Sequence, residues 1–542
     1  MSGGRVKECK IKEYNFTETG TILRMLLRRD RFLLPIWILL PLLIFAGQIS
    51  FIGAIPDWKE FIAELSASPL TSAWLGPIVP LSKEGAILWR GMLQSAIAVM
   101  LGSSLTAIRH TRTEGQAGRS ELVLGRAVGR HAPLTATLIL SCAGSLIAGL
   151  LVSVLLINSD FTAAGSWVAG LTIAAAGFLF AGIGLLTAQI YEDAESARKT
   201  VFALIFASFI PMVLNNVEGG NTAWVWFVPQ SWFRLTVPFG ENNFIPLIAF
   251  AVLSAIPAGL SYVVLSRRDL GAGLLYARPG PAEASSGLSS PLGLAWRQHK
   301  STVMSWALGM IFIGSSLGII TPNIAETISS MLVEMSTWAA TMARLGNREG
   351  FIAVSIYLLG LMTGTSIYGI MTVLKLKKEE TERFAEIILV RPVSRTRWMS
   401  SYLIMAFAGS VVILFALGMA AGLGWSLASG DMALLPRTMI MSLSKIPPAW
   451  IIIGISTMFY GWLPRISSLL SWTILGSFIV IEIFWEVGLV KWSALQATPF
   501  AYAHYSIPIN ELSISSLLTL IFLSAVFTGI GIIGFRRRDI GI

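Results

Sequence analysis

The sequence predicts an all-α membrane protein of about twelve transmembrane helices, arranged as two fused six-helix repeats. Three observations carry this reading: an apolar composition, twelve span-length runs, and short motifs that recur at fixed offsets. Of 542 residues, 54% are hydrophobic and 13% charged, and the mean hydropathy is +0.70. A soluble chain has about a quarter of its residues charged, so this one cannot cover a water-facing surface. Disordered, fibrous, nucleic-acid-binding and disulfide-rich secreted classes fail on the same numbers. Cys9 and Cys142 fall in a basic tail and an apolar segment, so no disulfide between them is expected. The histidines (His110, His131, His299, His504) have no metal-ligand spacing.

A bilayer core needs roughly 20 apolar residues as helix. Runs that meet or approach this lie near 32–51, 88–107, 134–157, 164–189, 200–215, 244–265, 302–320, 352–374, 399–426, 438–461, 466–487 and 514–535. The fifth is short, and the tenth holds Lys445 before Pro447 and Pro448. The first run follows about thirty polar and basic residues without a cleavage signature and reads as an uncleaved span. With the N-terminus inside, 31 of the 40 Lys and Arg residues fall in inner segments. The positive-inside rule then puts both termini in the cytoplasm, and the net charge of +10 becomes orientation charge facing anionic lipid. Residues 1–31 read as a cytoplasmic tail ending in Arg24, Arg28 and Arg31 at helical spacing. An interfacial helix and a plain basic flank both fit that pattern.

The two halves repeat. Ser266-Arg-Arg-Asp-Leu-Gly271 returns as Arg536-Arg-Arg-Asp-Ile-Gly541, an offset of 270 that also pairs Pro229 with Pro499 and Glu241 with Glu511. An offset of 265 pairs Glu114 with Glu379, Glu121 with Glu386, Arg126 with Arg391 and Arg130 with Arg395. Arg28 and Trp37 match Arg297 and Trp306. The expected organisation is a first half over 32–276, a Pro/Gly/Ser-rich linker over 277–291 and a second half over 292–542. Six spans per half make these parallel repeats.

The repeated inner loop between the second and third span of each half is the most informative feature. Glu114, Arg119, Glu121, Arg126 and Arg130 in the first, and Glu379, Glu386, Arg391 and Arg395 in the second, place mixed charge on a short amphipathic helix. An apolar strip accompanies each (Leu122 and Leu124; Ile387, Ile388 and Leu389). Such a helix suits docking into the groove of another protein, and a solvated loop is the plain alternative. Intramembrane charge, the usual pointer to a transport site, is sparse. Lys445, Glu482 and Glu486 form the one candidate cluster, and the simpler account starts span ten at Ile446 and leaves Lys445 in the outer interface. Arg90, Glu218 and Arg234 are expected at outer interfaces too.

No Gly-x-x-x-x-Gly-Lys-Ser/Thr sequence occurs, so ATP hydrolysis on this chain is not expected. Nor does a nucleophile elbow, paired-carboxylate motif or metal set point to a membrane enzyme. Thr21-Ile-Leu-Arg-Met-Leu-Leu-Arg-Arg-Asp30-Arg-Phe-Leu-Leu-Pro35-Ile-Trp37, Arg109-His-Thr-Arg through Gly129-Arg-His-Ala-Pro-Leu134, Arg267-Arg-Asp-Leu-Gly-Ala-Gly-Leu-Leu and Ser290-Pro-Leu-Gly-Leu-Ala-Trp296-Arg are informative together. They resemble the permeases of type-2 ABC exporters of the polyketide-antibiotic and tetronasin class, over nearly the whole chain. The resemblance implies a bacterial plasma-membrane exporter of hydrophobic or amphiphilic compounds. It also implies coupling helices in the loops Glu114–Arg130 and Glu379–Arg395, and two copies of a separate ATPase subunit that carry the ATP and Mg. Arg383-Phe-Ala-Glu386 departs from Gly118-Arg-Ser-Glu121, which weighs against equal docking of the two copies. An ion-coupled secondary transporter with twelve helices is the alternative.

Overall fold

A computed structural model of the chain describes residues 15–53, 58–59, 63, 76–78, 80–220, 222–268, 273–275, 283, 286–331, 347–486, 490–503 and 513–539. Cys9, His504 and most of the linker lie outside these residues, as does the Glu486 side chain. Among the described residues, twelve helices are long and apolar enough to cross a membrane. They are Leu33–Gly53, Lys83–Gln116, Ala132–Asn158, Ala163–Ile190, Ala194–Asn216, Ile245–Arg267, Pro291–Pro322, Arg348–Thr381, Arg395–Ser429, Leu434–Trp462, Ser467–Trp485 and Ile514–Arg537, numbered here as spans 1 to 12. Each coincides with one of the apolar runs to within a few residues or extends beyond it, because a backbone in lipid must satisfy its own hydrogen bonds and the helix does so within the segment. Among the described residues the nearest thing to a strand is one isolated bridge between Tyr191 and Leu275.

Several spans begin where an oxygen-bearing side chain caps the free backbone N–H groups of the first turn. Ser82 accepts from Gly85 N at 3.1 Å before span 2, Asp193 from Ser196 N at 2.6 Å before span 5, and Ser394 from Arg397 N at 3.2 Å before span 9. Buried hydroxyls inside spans return to their own helix, as when Ser145 donates to the Ser141 carbonyl and Thr172 to that of Val168. These two hydroxyls therefore enter the apolar interior without remaining unsatisfied.

The chain divides into two compact units, Met1–Gly280 and Pro281–Ile542. In the first, span 4 is central and packs on spans 2, 3 and 6. Spans 3 and 4 touch through bare backbone: a β-carbon on Gly149 would overlap the Gly170 carbonyl, and one on Gly170 would strike Gly149 and Ser153. Small residues at such a crossing let helices approach closely enough for dispersion to hold them without a hydrophobic gain. In the second unit, span 10 packs on spans 8, 9, 11 and 12, and Gly461 meets Gly531 of span 12 in the same bare fashion.

Short helices follow span 5 at Ala223–Phe227, Pro229–Ser231 and Phe233–Thr236, and follow span 11 at Trp492–Leu495 and Pro499–Ala503. Arg234 in the first set is buried and donates to the Pro77 carbonyl at 3.0 Å. Burial lowers its pKa to about 10, which leaves it charged at neutral pH. Gly76 and Gly220, both at positive φ, make room for its guanidinium.

Candidate functional site: the loops between the second and third spans of each unit

The first loop is built on the N-terminal helix Thr19–Arg29. Ile22 and Leu26, one turn apart, bury themselves with Ala132, Ala136 and Leu140 of span 3, while Arg24, Met25, Leu27 and Arg28 stay exposed. The helix ends at Asp30, which is 1% exposed and meets Arg109 at 2.9 Å and His110 at 2.5 Å. Arg29 pairs with Glu114 at 2.6 Å, and that bond raises the arginine's pKa. Span 2 widens into a π-helical turn over Arg109–Thr113, an irregularity often found at functional sites. Arg112 donates to the Glu192 carbonyl at 2.7 Å, Arg198 to Thr113 at 3.0 Å, and Ala194 N to Gln116 at 3.2 Å. These bonds fix the end of span 2 to the start of span 5.

Gly118 then turns the chain in the left-handed region, at φ 70°. The loop helix itself is only Arg119–Leu124. Leu122 is 75% exposed, Glu121 and Arg126 are exposed, and Val123 turns inward. The loop closes at Arg130, whose guanidinium donates to the carbonyls of Leu265 at 2.8 Å and Arg268 at 2.5 Å, at the end of span 6. Arg268 in turn donates to Gln189 of span 4 at 3.0 and 2.6 Å. Burial, with Arg112 and Arg130 nearby, lowers the Arg268 pKa to about 10.

In the second unit the loop helix is Phe384–Leu389. Arg383 precedes it at φ 63°, a side chain where the repeat has Gly118. Phe384, Ile387 and Val390 are exposed, Val390 to 88%, and Glu386 and Arg391 lie beside them. Ala385, Ile388 and Leu389 pack inward around Trp398 and Tyr402. A cavity of about 360 Å³ opens at its foot, lined by Lys377, Glu380, Arg383, Glu386 and Arg465. Arg395 donates to the Arg538 carbonyl at 2.7 Å, and Arg538 grips Glu380 through two bonds of 2.6 and 2.7 Å. Tyr460 of span 10 adds a third bond to Glu380, at 3.0 Å.

One charged cluster lies inside the second unit. Span 10 breaks at Ser444 and Lys445, and Pro447 and Pro448 restart it in the first turn, where their missing N–H groups cost nothing. Lys445 is 1% exposed, with its ammonium 5.7 Å from the Tyr357 ring centre and Glu482 supplying the opposing charge. The Tyr357 hydroxyl donates to Glu482 at 2.7 Å, where span 8 becomes π-helical over Ile356–Thr365. Helix Ile446–Trp462 begins where the simpler account placed it, and Lys445 is enclosed by its own unit. Its acid and its phenol lie on two other spans, so an internal site is available that local sequence does not reveal.

The family model described as the C-terminal domain of multidrug efflux system permease Rv1217c matches residues 288–536. The multidrug efflux system permease protein Rv1217c of Mycobacterium tuberculosis is 31% identical over 539 residues, covering 97% of this chain and 96% of its own length. The chain belongs to the Rv1217c family of multidrug efflux permeases.

In this permease the sequence-predicted loop residues divide by direction. Glu121, Arg126, Glu386 and Arg391 are exposed on or just after the loop helices, and Arg119 is largely exposed despite a 3.5 Å contact with Glu114. The other four face their own chain. Glu114 is held by Arg29, and Glu379 is buried on the last turns of span 8. Arg130 and Arg395 are spent on carbonyls of spans 6 and 12. Of the expected apolar strip, Leu122 and Ile387 point out, whereas Ile388 and Leu389 turn in. Sequence reasoning missed Asp30, Gln189, Glu380 and Tyr460. A lone acid among the arginines of the N-terminal helix was the available signal for Asp30; the others carried none.

Proposed function

We propose that this multidrug efflux permease is the membrane subunit of an ABC-type exporter in a bacterial plasma membrane, with both termini cytoplasmic. Two copies of a separate ATPase, carrying ATP and Mg, dock on the loop helices Arg119–Leu124 and Phe384–Leu389. Closure of the ATPase copies pushes on these helices and drives alternating access. The cargo is hydrophobic or amphiphilic, with polyketide antibiotics and ionophores within its range, in keeping with spans rich in Phe, Trp, Met and Leu. The observation that carries this reading is the paired presentation of an exposed apolar residue beside an exposed acid, Leu122 with Glu121 and Ile387 with Glu386.

A second reading, ion-coupled secondary transport, is favoured by Lys445, Tyr357 and Glu482, since buried ionisable groups inside spans mark ion pathways. Ethidium accumulation in cells separates the two. ABC-type export is lost when the P-loop lysine of the co-expressed ATPase is replaced, and it persists under a protonophore while ATP is maintained. Efflux that survives the lysine replacement and collapses with the proton gradient overturns the ABC reading.

A further inference from the structure

The contacts of Arg130 and Arg395 open comparable connections in the two units, of two steps in the first and three in the second. In the first, Arg130 holds the carbonyls of Leu265 and Arg268, and Arg268 reaches across to Gln189, the penultimate residue of span 4. Gln189 is itself buried, and its carbonyl and that of Ile190 accept from the backbone of Leu274 and Leu275, just beyond span 6. In the second, Arg395 holds the carbonyl of Arg538, and Arg538 reaches through Glu380 to Tyr460, near the end of span 10. Arg130 and Arg395 are equivalent at the offset of 265, and Arg268 and Arg538 at the offset of 270. Each path runs from the loop behind the exposed helix, through the Arg-Arg-Asp turn, to the fourth span of its half.

Capping explains the first step. The last carbonyls of a helix have no partner within it, and an arginine there also meets the negative end of the helix dipole. Capping alone does not explain the second step. Gln189 has no acid beside it in this path, whereas the second unit uses a carboxylate at a position where the first has Gly115. The second unit adds an intermediary, yet the end point is equivalent, being the most enclosed span of the first unit and its counterpart in the second.

We propose that Arg130 and Arg395 are positioning residues that transmit movement of the loop helices to spans 4 and 10. The inference rests on the docking reading above. Without the clamp the helix moves and the loop behind it absorbs the displacement. With it, the loop, the end of the sixth span and the fourth span shift as one body.

The test uses the full chain with its co-purified ATPase in proteoliposomes, reading ATP hydrolysis and ethidium transport together. Arg130→Ala with Arg395→Ala keeps the ATPase bound and its hydrolysis running, while ethidium moved per ATP falls by about fivefold or more. Arg130→Lys with Arg395→Lys, which can still donate to a carbonyl, restores most of the ratio. An unchanged ratio in the alanine variant overturns the inference. So does parallel loss of assembly, hydrolysis and transport in both variants, because that marks a cap needed only for folding. A wild-type chain that binds no ATPase fails at the earlier step: it overturns the docking reading itself, and the transmitting role with it.

Discussion

The Tyr357 hydroxyl donates a 2.7 Å hydrogen bond to Glu482, 125 residues further along the chain, and the Tyr357 ring lies beneath the Lys445 ammonium. Three spans therefore share one polar cluster. Removing one member of a buried charged pair strands the other, at a cost of about 3–5 kcal/mol. Glu482→Leu and Lys445→Met should each lower the melting temperature of the purified permease markedly, and the double variant should recover much of the loss. Tyr357→Phe removes one hydrogen bond and should cost only about 1 kcal/mol. Additive losses in the double variant would show that the two charges do not act as a pair.

Asp30 and Glu114 both fasten the N-terminal helix, but by different means. Arg29 is about a third exposed, so solvent screens its pairing with Glu114, and Glu114→Gln should cost about 0.2–1 kcal/mol. Asp30 is buried between Arg109 and His110, and Asp30→Ala leaves both without their shared acceptor. Limited proteolysis near Thr19 should quicken strongly for Asp30→Ala and hardly for Glu114→Gln. Equal rates would refute the ranking.

Gly170 and Gly47 make a paired test of span packing. A side chain at Gly170 has to displace the backbone of Gly149, whereas nothing lies within 4 Å of a β-carbon at Gly47. Gly170→Val should abolish the monodisperse peak in detergent, and Gly47→Val should leave it intact. The contrast follows from bare-backbone approach between spans 3 and 4.

Arg383 holds a left-handed conformation that costs a side-chain-bearing residue about 1–2 kcal/mol. Arg383→Gly should raise the melting temperature of the permease alone. It also removes a cation from the cavity shared with Lys377 and Arg465, so a simultaneous loss of ATPase binding would explain why the strain is kept.

His131 packs edge-on to Tyr262, with ring centres 5.6 Å apart, and burial together with Arg130 lowers its pKa. The fold therefore favours the uncharged imidazole. Its stabilising contribution is full above the unfolded value of 6.5 and declines as the pH falls below it. Melting temperatures should drop on acidification from pH 7.5 to 5.5, and His131→Gln should flatten that slope. An equal slope in the variant would assign it to other groups.

Much of the fold was legible because a span needs only local information, about twenty apolar residues in succession. The boundaries were less so. Span 2 runs on to Gln116 and span 8 starts at Arg348, since charged turns at helix ends are helical yet polar. The site was legible where residues face outward, as Glu121 and Glu386 do, because amphipathic spacing records direction. It was illegible where a charge is satisfied by a distant segment. The scarcity of charge inside spans was enough to group Lys445 with Glu482, but nothing near Glu482 names Tyr357, and nothing near Arg395 names the carbonyl of Arg538. The repeat marked Arg130 and Arg395 as important without saying which way they point.

The docking of an ATPase on the two loop helices is the centre of this account, and native mass spectrometry of the permease purified from its own membranes tests it most directly. The wild-type chain should carry two copies of a P-loop ATPase subunit. Glu121→Lys with Glu386→Lys should lose both while the permease stays monodisperse. A chain that emerges alone, or one whose ATPase copies survive reversal of both glutamates, would contradict it.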